Sequence, residues 1–270
     1  MTMNITEIIE KRKSVRSYDG NPLSDCDKQA VADCFPACEN PFGVEVEFRL
    51  LSAKEHKLTS PVLVGESYYV AAKAKREDGF ELGYGYSFEL FCLKAAALKF
   101  GTVMIAGTFN RKEFEAAMEV EDSECMPLAT PIGRPAKKKS MREKMMRKAV
   151  GADKRLPFEE LFFENSFATP LTREKAGAFS SALEMLRLAP SAVNKQPWRV
   201  VKCGDTVHFF KKPTKSLSGG AFDLQKVDMG IALCHFDLTL KEAGITGSFF
   251  TQQPELKIPN DAEYIISYKI

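Results

Sequence analysis

The chain has 270 residues, enough for one large or two small domains with a sizeable core. Apolar residues make up 44% and charged residues 27%, ordinary for a soluble globular protein, and a formal net charge of +2 argues against a chain-wide nucleic-acid or membrane function. Residues 1–15 lack a signal-peptide pattern, and no apolar run approaches the roughly 20 residues that span a bilayer. Seven cysteines (26, 34, 38, 92, 125, 203 and 234) form no C-x-x-C pair, and no histidine lies near Cys34 or Cys38. They read as core thiols of a cytoplasmic protein without a metal site.

In chain order, residues 4–13 read as a short helix capped by Asn4, with Ile5, Ile8 and Ile9 on one face. Arg12-Lys13-Ser14-Val15-Arg16-Ser17 follows, ahead of a turn at residues 19–22. Three cations and two hydroxyls there suit either an anion site or a solvated helix end that complements the helix dipole. A helix is expected over 24–35, and strands over 44–50 and 62–64. Residues 84–100 form a long, mostly apolar run that reads as a buried helix closed by Gly101. An apolar strand or turn, 101–110, leads to a surface helix over 110–118 and a strand over 126–133. From Lys137 to Arg155 the chain is strongly basic, with Met141 and Met145 starting a weak apolar stripe. A solvated face is the first reading; a nucleic-acid or acidic-membrane patch competes, weakened by the absence of interleaved aromatics.

The pattern then restarts. An apolar helix over 179–188 ends before Pro190-Ser191-Ala192-Val193-Asn194-Lys195-Gln196-Pro197-Trp198, a turn made rigid by a proline at each end. Strands follow at 199–203 and 207–210, then a buried helix over 227–243 closed by Gly244, and a last strand over 264–268. Gly244 answers Gly101, and residues 35–42 look like a worn counterpart of the Pro190 turn, so the two halves form a weak internal repeat. His56, His208 and His235 fall on a loop, a strand and a buried helix, and none is assigned a catalytic role.

The nine-residue turn resembles the flavin-contacting turn of the nitroreductase family, Pro-Ser-x-x-Asn-x-Gln-Pro-Trp, at every fixed position. Arg12-x-Ser14-x-Arg16 resembles that family's N-terminal R-x-S-x-(R/K) segment. Residues 101–108 resemble its G-T-x-x-(I/L)-G-G-(T/F) stretch, with Ala106 where a glycine is common. The resemblance implies an α+β nitroreductase-like fold with FMN bound non-covalently, reduced by NAD(P)H and reoxidised by a nitro compound or quinone. By position, Arg12 meets the FMN phosphate, Arg16 the N1/O2 edge of the ring, and Ser14 adds a hydroxyl, with Lys13 in support. Gly107 or Thr108 offers a backbone N–H to flavin N5. Lys154 and Arg155 close on the phosphate, and Pro190, Ser191 and Asn194 complete the site.

In the family this turn crosses a dimer interface. Two tandem halves, 1–165 and 166–270, are therefore expected to form a pseudo-dimer within one monomeric chain, with further association left open. The second half has no R-x-S-x-R segment, so one FMN per chain is expected. The flavin carries the chemistry and no side chain need act as acid or base. The alternative is a degenerate paralogue that keeps the fold as a flavin-binding or structural module.

Overall fold

The computed structural model describes residues 4–214 and 221–270. The chain divides into two compact units. One is Lys11–Asp153; the other joins Met1–Glu10 to Lys154–Ile270. Helix α1 (Ile5–Lys11) starts in the second of these, where Asn4 Oδ1 accepts the Glu7 N–H at 2.8 Å, the expected cap. The Glu242 carboxylate accepts the Ile5 N–H and, at 2.7 Å, the Thr6 hydroxyl, which satisfies donors that a helix start leaves open.

In the Lys11–Asp153 unit, α2 (Asp25–Ala32) is capped by Ser24. Strands β1 (Glu47–Ser52) and β2 (Tyr68–Lys75) pair antiparallel. Helices α3 (Phe80–Ala97) and α4 (Arg111–Ala117) follow, then β3 (Glu124–Cys125) and β4 (Ala129–Ile132), both antiparallel to β2. β2 is thus the central strand, buried on both faces. Its Ala-Lys alternation carries little β-branched signal, which is why the sequence did not reveal it. The strand expected at 62–64 is only a bridge from Val64 to Ser17, because Gly65 turns the chain at φ 81°.

α3 is buried around most of its circumference, as its composition required, and Phe91 packs against Phe35 and Phe48 at 5.6 and 5.7 Å between ring centroids. It ends earlier than expected. Lys99, not Gly101, takes the left-handed conformation after it, at φ 64°. Gly101 is needed for a different reason: a Cβ there would stand 2.8 Å from Val15 Cγ1. Helix α5 (Met141–Ala149) closes the unit, with Ser140 as its N-cap.

The second unit contains α6 (Phe158–Leu161), β5 (Phe162–Glu164), α7 (Arg173–Ala176), α8 (Ser180–Leu188), β6 (Trp198–Cys203), β7 (Thr206–Lys211), α9 (Leu224–Glu242), β8 (Ser248–Phe250) and β9 (Glu263–Lys269). Its five-stranded sheet runs β5-β6-β7-β9-β8, parallel only at β5–β6. The parallel pairing holds Phe162–Glu164 against Val200–Lys202 within this unit. α9 is the core helix. Phe236 meets Phe209 and Tyr268 of the sheet at 5.1 and 5.3 Å, and His235 Nδ1 lies 2.9 Å from the Met185 carbonyl of α8. Gly244 follows α9 at φ 71°, as expected. Fully buried aromatic rings of this kind each contribute about 1.5–3 kcal/mol.

Candidate functional site

In the Lys11–Asp153 unit the basic N-terminal segment is not a solvated helix end. After α1 the chain runs extended: the Val15 N–H bonds the Thr102 carbonyl at 2.9 Å, Ser14 bridges Thr102, and the Val64 N–H bonds the Arg16 carbonyl at 3.0 Å. The R-x-S-x-R segment and the 101–108 stretch are therefore brought side by side. Lys13 is exposed.

The two arginines differ. Arg12 Nε lies 3.4 Å from Glu89 Oε1 of α3, a pair almost wholly removed from water. Arg16 has Nε and Nη1 buried with no acceptor among the described residues. Burial lowers its pKa from the usual guanidinium value; Glu143 opposes that shift and Arg147 adds to it. A buried guanidinium with unused donors is costly unless an anion or a strong acceptor meets it. Gly107 and Thr108 are exposed, and a Cβ placed on Gly107 would find no protein atom within 4 Å. The Thr108 carbonyl accepts the Ser60 hydroxyl at 2.5 Å, which fixes this backbone.

Glu143 and Ser140 are the residues that sequence reasoning missed here. Ser140-Met141-Arg142-Glu143 has the spacing of a capping box, and the Glu143 N–H does bond Ser140 Oγ at 3.1 Å. The reciprocal bond is diverted: Glu143, 2% exposed, accepts the Arg16 N–H at 3.3 Å, while the Ser140 N–H bonds Ser17 Oγ at 3.1 Å. That S-x-x-E spacing was the available signal, hidden in a run of cations.

In the second unit the nine-residue turn is under backbone strain. Val193, Asn194 and Gln196 all have positive φ (50°, 57° and 50°), a region costly for a β-branched residue such as Val193. A net of bonds holds it. Arg155 Nη1 donates to Asn194 Oδ1 at 3.2 Å and Nη2 to the Leu188 carbonyl at 3.1 Å. Asn194 Nδ2 donates to the Lys154 carbonyl at 2.9 Å, and the Leu156 N–H to Gln196 Oε1 at 2.9 Å. Ser191 Oγ accepts the Gln196 N–H at 2.9 Å.

From α9, the buried Asp228 accepts the Ala192 N–H at 3.0 and 3.1 Å. Burial pushes the Asp228 carboxyl well above the ordinary carboxylate range, and the Ala192 bond only partly opposes it. Arg155, Ser191 and Asn194 are thus brought together with Pro190, half-buried at the start of the turn, while the Lys154 side chain stays exposed. Asp228 was not legible, because an acid within an apolar helix gives no hint of which way it faces. Residues 35–42 of the other unit are also tied to a long helix, by a different contact. There Asn40 Nδ2 donates to the buried Ser87 Oγ of α3 at 3.0 Å, and Asn40 Oδ1 accepts the Phe42 N–H at 3.1 Å.

A sequence profile for the family described as "Putative TM nitroreductase" matches residues 4–240. The chain belongs to this nitroreductase family. A Thermotoga maritima crystal structure described as a "putative nitroreductase" superposes with a TM-score of 0.65 at 21% identity, covering 99% of this chain and 93% of that one. The α+β nitroreductase fold follows from that match. Nitroreductase family proteins of Clostridium difficile (TM-score 0.46, 14% identity, 58% of this chain and 96% of that one) and Clostridium novyi (0.43, 18%, 52% and 90%) are also similar. The comparison with curated proteins gave no match. Among the described residues no helix is long and apolar enough to cross a membrane, and no cluster of three or more His, Cys, Asp or Glu side chains is placed to hold a metal ion.

Proposed function

We propose that this nitroreductase family member is an FMN-dependent oxidoreductase that passes reducing equivalents from NAD(P)H to a nitro compound, a quinone or a similar acceptor. The observation that carries the reading is Arg16, whose buried Nε and Nη1 have no acceptor among the described residues. Such donors fit the electron-rich N1/O2 edge of a flavin, or its phosphate. The open space where a Gly107 side chain would lie fits a ring edge approaching the backbone.

In the Lys11–Asp153 unit, Arg16 would neutralise charge on the flavin, with Arg12, Ser14 and Lys13 as further donors and the Gly107–Thr108 backbone at the ring. Arg12 keeps part of its charge committed to Glu89. In the other unit, Pro190, Ser191 and Asn194 would present the turn that Asp228 holds, with Lys154 and Arg155 beside it. When bound, FMN supplies the two-electron redox chemistry. The side chains would orient it, and the Arg16 guanidinium would offset negative charge on it electrostatically. The seven free thiols support a reducing compartment such as the cytoplasm.

The test is an FMN titration followed by visible absorbance and flavin fluorescence, on the wild type and on Arg16→Ala and Asn194→Ala. One equivalent of FMN per chain is expected, with weaker binding in both variants and NADH- or NADPH-driven reduction of a nitroaromatic. Unchanged FMN affinity in both variants would refute the assignment. FMN held without turnover would favour the degenerate module.

A further inference from the structure

The basic run from Lys137 to Lys148 is only partly used by the site, and the structure divides it cleanly. Glu143, Met146, Arg147 and Val150 make the inward stripe of α5: Glu143 is buried against the Arg16 N–H, and Arg147 pairs with Asp153. The spacing of three and four residues is that of one helix face. The outward face carries Met141, Lys144, Met145 and Lys148, all exposed, while Arg142 at its flank donates to the Pro61 carbonyl at 2.6 Å; Lys137, Lys138 and Lys139 are exposed just before the helix.

Met141 and Met145 are 70% and 69% exposed, more than any other large apolar side chain among the described residues. The single acid of this stretch, Glu143, points inward, so the outward face presents cations and thioethers and no carboxylate.

We propose that the outward face of α5, with the three lysines before it, docks the protein on an anionic lipid surface. A merely solvated face gives no reason for two long apolar side chains one helical turn apart at such exposure. At a membrane each part has a partner: the cations meet lipid phosphates, and the unbranched, polarizable methionines reach the acyl boundary between them. A nucleic acid would use the cations but leave the methionines without a partner, and the segment has no aromatic side chain on which bases could stack. Ser140 and Glu143 fasten the helix from its inner side, so the outward face is presented without rearrangement. At nine residues the helix lies on the surface rather than crossing it.

The test is co-sedimentation of the full chain with phosphatidylcholine vesicles, with and without phosphatidylglycerol, at low and high salt. Binding should require the anionic lipid and fall with salt. Replacing Lys137, Lys138 and Lys139 together by Gln should weaken it by about a hundredfold. Met141→Gln with Met145→Gln, which leaves every charge in place, should weaken it by about tenfold. Failure to bind anionic vesicles would overturn the proposal. So would full binding by the methionine double variant, since that means adsorption by charge alone. Tighter binding to a DNA duplex or to polyglutamate than to anionic vesicles at matched salt would overturn it in favour of another polyanion.

Discussion

Asp228 gives the sharpest test of how the Pro190–Trp198 turn is held. Its carboxyl is 2% exposed on α9, and both oxygens lie within hydrogen-bond distance of the Ala192 N–H. Burial raises its pKa in the folded chain, whereas an unfolded Asp titrates near 3.9. Between those two values the native state keeps a proton that the unfolded state has lost. Stability from this group is therefore fully present below about pH 3.9 and is lost as pH rises through the folded pKa, at about 1.4 kcal/mol per pH unit.

Asp228→Asn keeps a neutral acceptor for Ala192 and removes the proton linkage. Its stability relative to wild type should rise with pH across that window and level off above it. Asp228→Ala removes the acceptor and leaves the Ala192 N–H without its partner, at a cost of about 1–3 kcal/mol. The assay is urea unfolding of the three proteins at a series of pH values above 4, followed by tryptophan fluorescence, since Trp198 ends this turn. Parallel pH profiles for wild type and Asp228→Asn would refute the reasoning, because they would mean that Asp228 ionises in the folded chain at no extra cost.

Gly107→Ala should leave thermal stability unchanged within about 0.5 kcal/mol, a Cβ there meeting nothing, while weakening FMN binding; a large loss of stability, or unaltered FMN affinity, would contradict the proposed approach of the ring. Gly101→Ala should do the opposite, destabilising by about 1–3 kcal/mol in denaturant unfolding because its Cβ meets Val15 at 2.8 Å. Ser140→Ala removes the acceptor of the Glu143 N–H and the partner of Ser17 Oγ. It should cost about 0.5–2 kcal/mol locally, read as faster amide hydrogen exchange in α5 with little change in α3.

Most of the helices were legible in the sequence, for reasons visible in single residues. Apolar side chains all round α3 and α9 leave burial as the only stable option, and Asn4 and Gly244 mark helix ends by their own chemistry. The two motifs that carry the family resemblance, Arg12-x-Ser14-x-Arg16 and the nine residues from Pro190, stand in contiguous sequence, so they could be read before the fold was known. β2 was not legible, since its second half is alanine and lysine, which carry little β-propensity, and burial on both faces leaves no apolar-polar pattern to mark it.

What the sequence by itself determined is the repertoire: which segments are helical, which donors the motif offers, and that two prolines stiffen one turn. Only the tertiary structure decided how those groups are spent. It commits Arg12 to Glu89, leaves Arg16 with buried donors that no described residue accepts, and ties Arg155 to Asn194. It also turns Glu143 inward so that the outer face of α5 is purely cationic and apolar. The physical reason is that pairing and burial depend on distances between residues tens to hundreds of positions apart. Local propensity and periodicity say nothing about those distances until the chain has packed.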